Sequence, residues 1–142
     1  MPTRRASAVW EGGLRAGKGS VKTETGAVDA TYSFGSRFES AKGTNPEELL
    51  AAAEAACFAM ALSVGLEGAG TPPTRVEASA ACTIDKVAEG FKITTMKLTV
   101  RATVPGATPD GFQKIAQATK DGCPVSSALK GNVKIELDAT LA

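Results

Sequence analysis

The stretch from Gly43 to Leu62 constrains this chain more than any other, because it reads as one long helix around which the remaining elements must pack. Thr44 or Asn45 can cap its start, Pro46 suits the first helical position, and Glu47 and Glu48 put negative charge where the helix dipole favours it. Leu49, Leu50, Ala53, Ala56, Cys57, Met60, Ala61 and Val64 recur at spacings of three and four, which predicts an apolar face, largely alanine, on a helix over 44–67. Small residues admit another backbone closely. The helix is therefore expected to be central and buried, packed against its neighbours or against a copy of itself. Cys57 then lies in a crowded, low-dielectric setting, where a single cysteine ordinarily serves as a small core hydrophobe.

A second passage changes that reading. In Gly122-Cys123-Pro124-Val125-Ser126, a cysteine immediately precedes a proline that suits the first residue of a short helix, which makes Cys123 a helix N-cap. Thiols at helix N-termini tend towards the thiolate, because unsatisfied N–H groups and the helix dipole favour the anion.

The 142 residues suffice for one domain with a genuine core, and 1–142 is read as a single domain. A net charge of +1, from 16 basic and 15 acidic residues, offers no basis for binding nucleic acid or an anionic membrane. No apolar run is expected to reach a membrane span, and the first residues carry no hydrophobic signal core, so a cytoplasmic location is expected. There, three cysteines are not expected to be structural staples, and any pairing should be transient and redox-linked. The chain has no histidine at all, which removes Ser-His and Cys-His nucleophile pairs and the commonest zinc ligand. There is also no CxxC, P-loop or dinucleotide fingerprint, so neither metal nor cofactor is expected. An enzyme built from this chain must work with Arg, Glu and Cys.

Residues 1–42 are rich in Gly, Thr, Ser and Val and read as a meander of short strands near 5–10, 19–25 and 28–34. Trp10 fits a core anchor. The segment after the third strand is expected to be a loop, with Arg37 between Phe34 and Phe38. Beyond the long helix, Val76, Ala78, Ala80, Cys82 and Ile84 alternate with polar or small residues as a half-buried strand in which Cys82 packs. Asp85 to Gly90 reads as a polar hairpin connection. In the strand over 91–104 the apolar phase slips: Phe91 and Ile93 hold one parity, Met96, Leu98, Val100, Ala102 and Val104 the other, which predicts a bulge near Thr94 and Thr95. Thr108-Pro109-Asp110 opens a helix carrying Phe112, Ile115, Ala116 and Thr119 inward, the Cys123 helix follows, and an alternating strand over 133–141 closes the chain. This order predicts an α+β fold, with 75–142 contributing strands, two helices and a last strand to antiparallel sheet wrapped around the central helix.

The Asn45-Pro46-Glu47 helix with its cysteine, the hairpin Asp85-Lys86-Val87-Ala88-Glu89-Gly90-Phe91 and the Gly122-Cys123-Pro124 passage together resemble the OsmC/Ohr family (osmotically inducible protein C and organic hydroperoxide resistance protein), nearer to OsmC, over almost the whole chain. The resemblance implies an OsmC-like, swapped and intertwined homodimer with two shared active sites, acting as a thiol peroxidase on organic hydroperoxides. It makes Cys57 the peroxidatic cysteine and Cys123 the resolving one, with the family's essential arginine at Arg37 and its glutamate partner at Glu47. The family accepts electrons from a dithiol such as a dihydrolipoyl group.

Chemistry agrees with those roles. A peroxidatic cysteine must attack as the thiolate and become a sulfenic acid that a second thiol captures. Burial alone would keep Cys57 protonated, and with no histidine an arginine is the best cation to offset it, with Glu47 holding the guanidinium. Glu47 and Cys57 are separated by roughly 15 Å of helical rise and cannot meet within one straight helix. Arg37 and Glu47 of one protomer are therefore expected to complete the site around Cys57 and Cys123 of the other. The apolar surroundings of Cys57, including Phe58 and Met60, should favour alkyl or lipid hydroperoxides. Rival readings are a non-enzymatic dimeric stress or binding protein, with both cysteines as packing, and a thiol redox sensor that signals without turnover.

Overall fold

Strand β5, Gly90–Thr103, has the most buried inward face, because Met96, Leu98, Val100 and Ala102 alternate with polar residues and are each almost wholly excluded from solvent. A computed structural model describes residues 1–142, which divide into two compact units, Met1–Leu49 and Leu50–Ala142. The other elements are β1 Ala6–Glu11, β2 Lys18–Thr23, β3 Asp29–Tyr32, α1 Phe34–Phe38, α2 Pro46–Gly68, β4 Arg75–Val87, α3 Pro109–Gly122, α4 Pro124–Leu129 and β6 Lys134–Leu141.

In the first unit, β1, β2 and β3 form an antiparallel meander in that order. Trp10 and Tyr32 meet with ring centroids 5.4 Å apart, and Gly19 pairs with both across the sheet. A Cβ at Gly19 would lie 2.5 Å from the Tyr32 ring and 2.8 Å from Trp10, so only glycine lets the two rings close over the central strand. The loop expected after β3 is in fact the short helix α1. Ser33 and Ser36 form a reciprocal capping box: the Ser36 N–H donates to the Ser33 hydroxyl (3.0 Å) and the Ser33 N–H to the Ser36 hydroxyl (2.8 Å). Two serines three apart carry that signal, which the aromatic residues around Arg37 obscure.

In the second unit, β4 and β5 pair as a long antiparallel hairpin. The strands continue through much of the expected connection and leave only Ala88 and Glu89 as the turn, which Gly90 closes at φ 127°. Thr83 pairs with Thr95 and Ile84 with Ile93, so Thr94 is the extra residue of the expected bulge. Its hydroxyl donates to the Asp85 carboxylate. The sheet is not antiparallel throughout: β6 runs parallel to β5, with Thr95 facing Lys134 and Ala102 facing Leu141. Alternation reports which side chains point inward but not the direction in which a strand enters, and the crossover through α3 and α4 decides it here.

The face α2 buries differs from the expected one. Glu54, Phe58, Leu62 and Leu66, at spacings of four, are all 0% exposed, whereas Met60 and Val64 are 73% and 68% exposed and Ala53 and Ala56 face outward. Cys57 and Ala61 are half-buried at the margin of the packed stripe. The helix is apolar on every side, so its periodicity carries no phase and the large residues select the face by filling space against the sheet. That same composition corrects the expectation about spans. The 23-residue α2 contains an 18-residue window with a mean hydropathy of 1.9 and is long and apolar enough by length and composition to cross a membrane. Its Phe58, Leu62 and Leu66 instead share a protein core with Leu98, Val100 and Phe112.

Candidate active site

Helix α3 begins with the Thr108 hydroxyl accepting from the Gly111 N–H (3.1 Å) and Pro109 in its first turn, and it buries Phe112, Ala116 and Thr119. Proline at 124 ends it and starts α4, leaving Cys123 as the hinge residue between the two helices. The Cys123 N–H donates to the Thr119 carbonyl and the Ser127 N–H to the Cys123 carbonyl, each at 2.8 Å, so the backbone around the cysteine is held from both sides. The thiol is fully buried and does not cap α4 itself. It donates instead to the sulfur of Cys57, with Sγ to Sγ at 3.1 Å, and both are free thiols. Residues 66 positions apart in sequence are thus brought to contact.

The expected link between the helix N-terminus and thiol chemistry falls on the other cysteine. The Val125 backbone N–H, at the start of α4, bonds to the Cys57 sulfur and favours its anion. It does not prevail. Burial pushes the Cys57 thiol above its ordinary value, with the Cys123 thiol and the Glu54 carboxylate adding to the rise. Glu54 stands one turn before Cys57 on α2 and is wholly buried. Its Oε1 accepts a hydrogen bond from the Ser126 hydroxyl, while Oε2 has no partner. Sequence reasoning passed over both residues. The available signal was a lone carboxylate in an alanine-rich helix, one turn from a cysteine.

In the first unit, Arg37 and Glu47 also meet, and the local hydrogen bonds explain how. The Ser36 hydroxyl donates to the Thr44 carbonyl (2.7 Å), and the Asn45 side-chain amide donates to the Ser36 carbonyl (2.9 Å). The Asn45 Oδ1 accepts from the Glu48 N–H (2.8 Å), so Asn45 caps α2 while holding α1 beside its first turn. The Thr44 hydroxyl donates to the Glu48 carboxylate (2.7 Å). With both helix starts fixed, Arg37 Nη2 and Nε donate to Glu47 at 2.7 and 3.2 Å to Oε1, and Nε reaches Oε2 at 3.3 Å. The Glu47 side chain is 7% exposed and that of Arg37 34%, so the carboxylate is fixed while the guanidinium keeps an open edge. The Arg37 Cζ lies 5.3 Å from the Phe38 ring, and a shallow, mostly apolar recess beside it is lined by Trp10, Leu14, Ser33 and Phe34.

Of the two apolar neighbours expected around Cys57, Phe58 belongs to the core and Met60 faces outward. Cys82 is half-buried in β4 opposite Met96. No group of three or more Cys, Asp and Glu side chains converges as a metal-ligand set.

Residues 39–138 match the family model described as OsmC-like protein. The chain is 46% identical over 134 residues to peroxiredoxin OsmC of Escherichia coli K12, covering 94% of each protein. It is 31% identical to organic hydroperoxide resistance protein OhrB of Bacillus subtilis, over 84% of this chain and 88% of the relative. Among solved structures, an organic hydroperoxide resistance protein from Elizabethkingia anophelis superposes with a TM-score of 0.80 at 25% identity, over 100% of this chain and 98% of the other. The structure of Bacillus subtilis OhrB gives 0.75 at 27% identity, over 96% and 98%. Sequence and fold agree, and the chain belongs to the OsmC-like protein family.

Proposed function

We propose that this chain is a thiol-dependent peroxidase that reduces organic hydroperoxides to alcohols. The observation that carries the reading is the contact of two free thiols, Cys57 and Cys123, at 3.1 Å. The names of the relatives support the same chemistry, since one is a peroxiredoxin and others are organic hydroperoxide resistance proteins. In the proposed reaction the Cys57 thiolate attacks the terminal peroxide oxygen, the O–O bond breaks, and the leaving alkoxide takes up a proton to become the alcohol. Cys57 is left as a sulfenic acid. Cys123 attacks that sulfur, water leaves, and a Cys57–Cys123 disulfide forms, for which the sulfurs need to close only to about 2.04 Å. A dithiol, such as a dihydrolipoyl group, then reduces the disulfide to two thiols and is itself oxidised.

The raised Cys57 thiol defines what the second unit lacks. None of the causes of the shift is a cation, so a positive group must be supplied before the thiolate forms readily near neutral pH. Arg37, held by Glu47 with an open edge, is that group in this reading, and it is contributed by a second protomer of a homodimer. The outward face of α2, with Ala53, Ala56, Met60 and Val64, suits close packing against a copy of itself. The apolar recess beside Arg37 suits a hydrocarbon substituent on the peroxide. A reducing cytoplasm is the proposed location.

The test is consumption of cumene or tert-butyl hydroperoxide with a dithiol present, for wild type, Cys57→Ser and Cys123→Ser. Turnover that disappears in Cys57→Ser supports the assignment. Wild-type consumption no faster than the dithiol background would end it. Sharing of the site is tested by co-expressing differently tagged Arg37→Ala and Cys57→Ser chains and purifying the mixed dimer. In a shared site one centre of that dimer is intact and activity returns to about half, whereas sites built within one chain would leave it inactive.

A further inference from the structure

Glu54 is a poor choice for a residue whose only task is packing. Its carboxyl is wholly buried, one oxygen has no hydrogen-bond partner, and an apolar side chain of similar volume would avoid the cost of removing it from water. It also opposes the thiolate that the proposed chemistry requires, because its charge raises the neighbouring Cys57 thiol. What it does make is a bond between helices. Its Oε1 accepts from the hydroxyl of Ser126, which is itself 1% exposed and lies on α4 just beyond Cys123. Helix α4 has only six residues and no side-chain N-cap, so it is too short to hold its place by its own hydrogen bonds. No hydrogen bond joins Glu54 to Cys57, which argues against direct proton exchange with the thiol.

We propose that Glu54 is a positioning residue for the thiol pair: through Ser126 it fastens α4 to α2, one turn from Cys57, and so keeps Cys123 within bonding reach. This deepens the peroxidase reading and rests on it for its purpose, but the tether itself can be measured without peroxide. In a glutathione buffer, the Cys57 thiolate attacks glutathione disulfide and releases one glutathione thiolate. Cys123 then attacks the mixed disulfide and releases the second. The equilibrium gives the effective concentration of one thiol beside the other.

The experiment compares wild type, Ser126→Ala, Glu54→Ala and Glu54→Gln, all in a Cys82→Ser background. Ser126→Ala and Glu54→Ala should lower the effective concentration about tenfold, the size of one hydrogen bond to a charged group. Glu54→Gln retains an acceptor for Ser126 and should stay within about threefold of wild type. A second readout is the pH midpoint of Cys57 alkylation, followed by mass spectrometry. The groups bearing on that thiol are Cys123 and the Val125 N–H from the α3–α4 side and Glu54 on its own helix. Removing the Glu54 charge should move the midpoint to lower pH in Glu54→Gln, a change that loss of packing alone would not produce. Ser126→Ala with wild-type effective concentration would overturn the proposal, as would Glu54→Gln falling as far as Glu54→Ala. Should Glu54→Ala fail to fold, Ser126→Ala and Glu54→Gln decide the matter. Absence of wild-type hydroperoxide turnover together with a tenfold loss in Ser126→Ala would refute the peroxidase reading and leave the tether standing.

Discussion

The two compact units of this chain each bring a pair of reactive or charged side chains into contact, and the two pairs are built in opposite ways. In Leu50–Ala142 the pair is two thiols, Cys57 half-buried at the margin of the packed stripe of α2 and Cys123 fully buried between α3 and α4, with a wholly buried carboxylate nearby. In Met1–Leu49 the pair is an arginine and a glutamate, with the carboxylate buried and fixed and the cation partly exposed. The two thiols touch, and burial raises that of Cys57. The charged pair has a permanent cation but no nucleophile. In the proposed reaction neither pair suffices by itself, because the anion and the charge that would stabilise it come from different units.

That contrast can be broken at several points. The largest effect belongs to the nucleophile: Cys57→Ser should reduce hydroperoxide consumption to the dithiol background, measured under steady-state conditions. Arg37→Ala should lower kcat/KM about a hundredfold, the scale for removing one preorganised electrostatic donor. In the same variant the pH midpoint of Cys57 alkylation should rise above that of wild type, because burial, which favours the neutral thiol, is then unopposed by the cation. An unchanged midpoint would mean that Arg37 does not act on the thiol. Glu47→Gln leaves the guanidinium in place but loosens its bidentate hold, and about a tenfold loss in kcat/KM is expected, with the alkylation midpoint moving little. Cys82→Ser should leave turnover and the alkylation profile of Cys57 unchanged. A loss of turnover there would show that the thiol chemistry extends beyond the pair.

How much could be read in advance differs between the same two regions. Cys57 and Cys123 stood out because one is the single thiol of a long alanine-rich helix and the other precedes a helix-starting proline, both local signals. The bulge at Thr94 was legible because a strand that keeps one face buried must absorb a phase slip with an extra residue. Helix α1 was not, since its evidence was two serines beside a more conspicuous aromatic pair. Glu54 was overlooked for a different reason. A charged residue in a helix is ordinarily solvated, and only the packing of Ser126 against it reveals that it is inside.

The sequence by itself determined the order of elements apart from α1, the starts of α2, α3 and α4, the inward faces of β4, β5 and β6, the family motifs and, through the absence of histidine, the restriction to arginine, glutamate and cysteine chemistry. These follow from local rules: capping groups, proline geometry and alternation act over a few residues. The tertiary structure alone decided which side of α2 is buried, that β6 runs parallel to β5, and that Glu54 meets Ser126. A helix apolar all round has no phase of its own, a strand's alternation has no direction, and a contact between residues 72 positions apart leaves no local trace. Large side chains filling the space between helix and sheet settled the first, the crossover through α3 and α4 the second and the docking of α4 on α2 the third, each a property of the whole unit.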